Sequence, residues 1–177
     1  MLIFYRIMIN IVFLLSPLII IFRLIKKKEH PKRFIEKFCY STKKRINGKL
    51  IWFHGASIGE VLSVIPLVEK LEKDKRISQI LITSNTLSSS KIFSNLRLKK
   101  TIHQFFPIDT DFHSKKFLQY WKPSIAIFID SEIWPNMIKN IKKSSTLLVL
   151  LNGRITKKSF NRWKTIPTIA KNLFSKF

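Results

Sequence analysis

Two carboxylates in this sequence stand where acid–base chemistry could use them. Glu60 closes the run His54-Gly55-Ala56-Ser57-Ile58-Gly59-Glu60, and Glu132 closes Asp130-Ser131-Glu132 just ahead of Trp134-Pro135-Asn136. A carboxylate within hydrogen-bond reach of a hydroxyl can take its proton as a general base. Each has a plainer reading. Glu60 falls in the first turn of a helix, where a negative charge complements the helix dipole, and first-turn Glu is common. His54 can be a packed strand-end histidine, and Asp130 or Ser131 can cap the helix that Pro135 opens. Both sets of readings stay open on these residues alone. With only 10 acidic residues against 33 Lys and Arg, however, two carboxylates so close together as Asp130 and Glu132 are hard to dismiss as a solvated face.

Two further loops carry polar groups, Pro107-Ile108-Asp109-Thr110-Asp111 and Asn152-Gly153-Arg154. Arg154 could clamp a phosphate or pair with a carboxylate, although a lone arginine on a basic chain is usually neither. Cys39 is the single cysteine, so no intramolecular disulfide can form. No CxxC or Cys/His cluster offers a zinc site, and no metal is expected.

These loops need a scaffold that brings them together, and the hydrophobic pattern supplies one. Strand-length apolar runs fall at 50–54, 79–83, 101–106, 124–129 and 146–151. Helical spacing falls between them, at 60–71, 88–96, 112–121 and 134–141, with a last helix over 157–174. Continuous apolar strands alternating with amphipathic helices predict an α/β fold, a Rossmann-like parallel sheet with helices on both faces. Such sheets bind ligands outside the carboxyl ends of their strands, which is where all the loops above lie. The chain divides into an apolar anchor over 1–25, a basic connector, helical and partly solvated, over 26–48, and the α/β domain over 49–177.

The net charge of +23 points to an anionic partner, whether nucleic acid, lipid headgroups or a phosphorylated substrate. A base-stacking surface needs exposed aromatic rings, whereas Trp52, Phe53, Phe105 and Trp121 fall in or beside core elements, so no specific nucleic acid is expected. The amino-terminal run from Leu2 to Phe22 is near the length that crosses a bilayer, with Arg6 and Arg23 at its ends. A single span suits that length, and Pro17 leaves a helix lying in the membrane plane as the alternative. The cationic stretch that follows places the domain on the cytoplasmic side of the membrane.

In order along the chain, HGASIGE, ITSNTLSSS, FPIDTD, DSEIWPN and NGRITKKS resemble the amino-terminal half of the 3-deoxy-D-manno-octulosonic acid (Kdo) transferases, family 30 glycosyltransferases of two-domain GT-B architecture. The most specific stretches are H-x-x-S-x-G-E, matched by His54, Ser57, Gly59 and Glu60, and E-x-W-P-N, matched by Glu132, Trp134, Pro135 and Asn136. The resemblance implies inverting, metal-free transfer of Kdo from CMP-Kdo to the lipid A precursor at the inner membrane, in lipopolysaccharide inner-core synthesis, without a cofactor. It implies Glu60 as the base. Glu132 stands beside it as the second catalytic candidate, and His54, Ser57, Gly59, Thr86, Asp130, Trp134, Asn136 and Arg154 as substrate-binding candidates. Anionic membrane lipids are the expected second partner. The family's T-P-T-G is Thr86-Leu87-Ser88-Ser89 here, and its E-T-E is Asp130-Ser131-Glu132. The family continues into a domain that binds the CMP-sugar, so this chain is expected to be an incomplete form that does not turn over alone. A membrane GT-B enzyme with another donor and an inactive acceptor- or nucleic-acid-binding remnant are the alternatives.

Overall fold

The structure, a computed structural model, describes residues 2–96 and 98–177. Five strands, β1 (Leu50–His54), β2 (Gln79–Ser84), β3 (Thr101–Phe105), β4 (Ile125–Ile129) and β5 (Leu147–Leu151), form one parallel sheet in the order β3-β2-β1-β4-β5. All five β1 residues are buried, as expected of a central strand covered on both faces. The two-residue period sorts them cleanly. Leu50 and Trp52 join one core with Phe117, Trp121, Phe128, Met137 and Ile138, while Ile51 and Phe53 join the other with Val61, Val64, Val68, Ile80 and Ile82.

The first core is closed by α5 (Asp111–Trp121), α6 (Pro135–Ile141) and α8 (Pro167–Phe174). The second is closed by α2 (Ile58–Ser63) and α3 (Ile65–Glu72), with Phe93 of α4 (Leu87–Asn95) beside it. A Rossmann-like sheet with helices on both faces is therefore what the chain forms. Trp52, Phe53, Phe105 and Trp121 are all buried, so none is available to stack on a base.

Three local expectations fail, each for a physical reason. The helix expected over 60–71 is two, α2 and α3, because Pro66 lacks the N–H that would continue the ladder. Pro167 likewise divides the last helix into α7 (Lys157–Lys164) and α8. The connector contains only a short 3-10 helix, Arg33–Phe38, instead of a longer helical segment.

That short helix covers the open edge of β3. Fully buried Glu36 accepts the Phe105 N–H at 2.8 Å and two Arg33 N–H groups at 2.8 and 3.1 Å, and the Thr42 hydroxyl also reaches it. Ile108 N–H donates to the Lys37 carbonyl at 3.0 Å. A strand edge that would otherwise template pairing is thus satisfied by its own chain.

The amino-terminal helix α1 (Leu2–Ile25) contains Pro17, whose missing N–H would leave the Phe13 carbonyl without its backbone partner. The Ser16 hydroxyl donates to that carbonyl at 2.6 Å instead. The helix is long and apolar enough to cross a membrane, and its outward face is a continuous run of exposed Ile, Leu and Phe.

Its other face lies along the domain. Tyr5 Oη donates to Asp109 at 2.7 Å, Arg6 reaches Asn136 and Asp111 at 3.1 Å each, and Phe13 packs on His113 with ring centroids 4.9 Å apart. At the far end Arg23 donates to Glu29 at 3.0 Å. Contacts with the domain therefore run from Tyr5 to Phe13, and Arg23 ties the last turn to the connector.

Candidate functional site

The sheet reverses its winding between β1 and β4, and the loops after these two neighbouring strands carry the motif residues. Chain geometry alone makes a crevice outside their carboxyl ends. His54, the last residue of β1, is fully buried and its ring stacks on Phe106 with centroids 3.9 Å apart. Its Nε2 lies 3.2 Å from Glu132 Oε2, and the Trp134 indole N–H donates to the same oxygen at 2.8 Å. On its other side His54 Nδ1 is 3.0 Å from Thr83 Oγ1, which in turn accepts the Trp52 indole N–H at 2.9 Å.

One assignment satisfies every group. Nε2 carries the proton toward the carboxylate, Nδ1 accepts from the Thr83 hydroxyl, and that hydroxyl accepts from Trp52. A polar relay thus runs from the core to the rim and ends on Glu132. Burial pushes the Glu132 carboxyl up, but the hydrogen bonds from His54 and the Trp134 N–H outweigh it and hold it below the ordinary carboxylate range. Glu132 is consequently an ionised, oriented acceptor whose side chain keeps 16% of its surface exposed.

Glu60 is built differently. Ser57 is the N-cap of α2, accepting the Glu60 N–H at 3.3 Å, while the Ser57 hydroxyl and the Ala56 N–H donate back to the two Glu60 carboxylate oxygens at 2.7 and 2.8 Å. This is a variant of the capping box, with the loop amide one residue ahead of the cap as the second donor. The dipole reading of Glu60 thus describes its contacts well. Each oxygen still has a lone pair for a second partner, so the cap fixes the carboxylate without exhausting it.

Two glycines shape the loop. A Cβ at Gly55 would stand 3.0 Å from Glu60 Cβ and 3.3 Å from Ile129 Cδ1, so a side chain there would push the α2 start off the end of β4. A Cβ at Gly59 would meet nothing within 4 Å; it faces open space beside Glu60.

The other candidates divide. Thr86 caps α4, accepting the Ser89 N–H at 3.3 Å. Asp130 takes a left-handed backbone, φ 56°, and accepts from Asn152 at 2.6 Å, with Arg154 Nε 3.6 Å away, so these three residues form an exposed polar cluster across the tips of β4 and β5. Asn136 is fully buried, and its amide is engaged by the Asp109 carbonyl at 2.6 Å and by Arg6.

Neither Asp130 nor Ser131 caps α6, the plainer role open to them in the sequence. Asp109 does so from the β3 loop, accepting the Asn136 and Met137 N–H groups at 3.0 and 2.8 Å. Burial raises its carboxyl to about 7, although the hydrogen bonds from Tyr5, Asn136 and Met137 pull the other way. Asp109 and Thr83 are the residues that sequence reasoning passed over. Asp109 stood in a visible motif without a stated partner, and Thr83 gave no signal beyond its place at a strand end.

A doubly wound parallel sheet, with the motif carboxylates on the loops that follow β1 and β4 at its switch point, defines a Rossmann-like domain. The chain belongs to the Kdo transferase family: the family model described as "3-Deoxy-D-manno-octulosonic-acid transferase (kdotransferase)" matches residues 32–177. It is similar to the 3-deoxy-D-manno-octulosonic acid transferase of Rickettsia bellii, 42% identical over 155 residues that make up 86% of this chain and 37% of that protein. The Rickettsia typhi protein of the same name is 44% identical over 72% of this chain and 28% of its own length. That of Haemophilus influenzae is 28% identical over 71% of this chain and 29% of its own. The chain thus spans well under half the length of these relatives.

Proposed function

We propose that this chain supplies the acceptor side of a Kdo transferase that moves Kdo from CMP-Kdo to a hydroxyl of the lipid A precursor, lipid IVA, at the cytoplasmic face of the inner membrane, in lipopolysaccharide inner-core synthesis. The observation that carries the reading is that a loop-fixed Glu60 follows β1 and a relay-held Glu132 follows the neighbouring β4, at the switch point of a sheet in this family.

In this reading Glu60 is the base. It takes the acceptor proton as the hydroxyl oxygen bonds to the anomeric carbon of Kdo, while CMP leaves from the opposite face with the bonding electrons and the configuration inverts. No metal or cofactor enters that displacement. Glu132, ionised and held by His54 and Trp134, orients the acceptor sugar through its free lone pairs. Asp130, Arg154 and Thr86 lie on loops at the same rim.

The membrane helix fits an in-plane anchor better than a span. A helix of 24 residues that lies on the domain from Tyr5 to Phe13, and whose last turn is tied to the connector through Arg23, cannot stand upright in a bilayer without dragging Asp109, Asp111 and Asn136 into hydrocarbon. Lying flat, it offers its exposed apolar face to the acyl region while the basic residues after it meet anionic headgroups.

The experiment is transfer of radiolabelled Kdo from CMP-Kdo to lipid IVA by the longest polypeptide that carries this chain, with and without Glu60→Gln. A fall of about 100-fold or more, with unchanged melting, is expected for loss of a general base. Full activity in Glu60→Gln would remove Glu60 from the chemistry, and no transfer by the wild type would remove the function.

A further inference from the structure

We infer that the groove between α1 and the sheet rim is a seat for a lipid-borne phosphate, with Arg23 and Lys37 as the phosphate-binding pair. This deepens the acceptor reading above and rests on it. The groove encloses about 300 Å³ and is walled by Ile9 and Val12 of α1 on one side and by Phe106, Pro107 and Trp134 on the other, with Arg23 and Lys37 also lining it. From Ile9 to Arg23 is fourteen residues, about 21 Å at 1.5 Å per residue. Apolar walls with a cationic end have the chemistry of an amphiphile's binding site.

The charge at that end is unbalanced. Glu29, its side chain only 1% exposed, takes both Arg23 Nε at 3.0 Å and the Lys37 ammonium. One carboxylate between two cations leaves a net positive charge beside the groove. Arg23 uses one further N–H on the Lys28 carbonyl and keeps 36% of its side chain exposed, and the Lys37 ammonium has three N–H groups of which Glu29 needs one. Asp109 also faces the groove, but its carboxylate oxygens already serve Tyr5 and the α6 amides. A phosphate is the anion whose oxygens suit a guanidinium fork next to an ammonium. Trp134, the partner of Glu132, lies on the same wall, so a lipid held here would present its sugar to the rim.

The test is flotation of the full chain with phosphatidylcholine vesicles carrying either phosphatidic acid or phosphatidylglycerol at equal surface charge, which separates phosphomonoester recognition from general attraction by a basic protein. Wild type is expected to prefer phosphatidic acid by about tenfold, as charge-assisted hydrogen bonds would give. Arg23→Gln and, separately, Lys37→Gln each leave Glu29 one partner and should abolish the preference while keeping the shared affinity for anionic vesicles. Glu29→Gln frees both cations and should strengthen it.

Millimolar inorganic phosphate that erased the preference would show that the seat takes phosphate whatever carries it. No effect of free phosphate would tie it to the lipid, with the apolar walls contributing. The inference falls if wild type shows no preference, if both single-cation variants keep it with unchanged melting, or if Glu29→Gln weakens it in a chain that still melts as wild type. Loss of Kdo transfer with the lipid preference intact would strike the transferase reading alone. Loss of preference with transfer intact would strike only the groove.

Discussion

Glu132 and His54 meet at 3.2 Å across the junction of β4 and β1, where the sheet changes its winding direction. The pair joins the end of β1 to a loop far away in sequence and makes the orientation of one carboxylate depend on a strand buried in the core. Its consequences can be measured.

The Glu132 carboxyl titrates below its ordinary value of 4.5 in the folded chain. A depressed folded pKa means that this group's stabilisation is complete above that value and disappears as pH falls through the folded pKa. Chemical denaturation of wild type and Glu132→Gln should therefore differ near neutrality and converge toward pH 3. A difference that stays constant from pH 7 to pH 3 would show that the His54 contact carries no charge-dependent stability.

Asp109 gives the opposite sign. Its carboxyl rises from 3.8 to about 7 on folding, so the folded state binds the extra proton and stability is greatest below 3.8 and falls as pH climbs toward 7. The slope inside that window is about 1.4 kcal/mol per pH unit at most. Asp109→Asn, which cannot ionise and keeps one of the two oxygens that accept from α6, should flatten the dependence at the cost of one helix-cap bond. Urea midpoints at pH 5 and pH 8 decide it.

The two loop glycines should respond in contrasting ways. Gly55→Ala places a methyl against Glu60 Cβ and Ile129 and is expected to cost about 1–3 kcal/mol. Gly59→Ala meets open space within a helix and should stabilise by roughly 0.5–1 kcal/mol. If acceptor sugar packs beside Glu60, the same Gly59→Ala raises KM in spite of the gain in stability. Melting curves and KM measured together separate the two effects.

Thr83→Val breaks the relay beneath the site. It leaves the Trp52 N–H buried without its partner and takes the hydroxyl away from His54 Nδ1, a loss of about 1–3 kcal/mol. Thr83→Ser keeps the hydroxyl and should recover most of it in thermal denaturation.

Much of this architecture was legible in the sequence because β1, β2 and β4 are apolar runs of strand length, and Gly55 and Gly59 punctuate the turn that follows β1. The rim position of Glu60 and Glu132 followed from the fold rule alone. Helix continuity did not, since hydrophobic spacing persists across Pro66 and Pro167 even where the backbone ladder cannot. The partners of buried polar groups were invisible for a different reason. Asp109 caps a helix 26 residues further on, and Glu36 serves a strand amide 69 residues away, pairings that only the folded topology brings within reach. Asn136, an apparent site residue by motif, turned out to have its amide committed to Asp109 and to α1.

The two margins of the sheet are unequal. On one, Glu36 takes the Phe105 N–H and Arg33 the His103 carbonyl, groups that another strand would need; on the other, β5 has no neighbour beyond β4 among the described residues, and Leu147 and Val149 lie open to solvent. Growth of this sheet is thereby one-ended. A segment that extends it, whether from a longer version of the polypeptide or from a second molecule, finds its free edge at β5, while the β3 side is partly covered by its own connector.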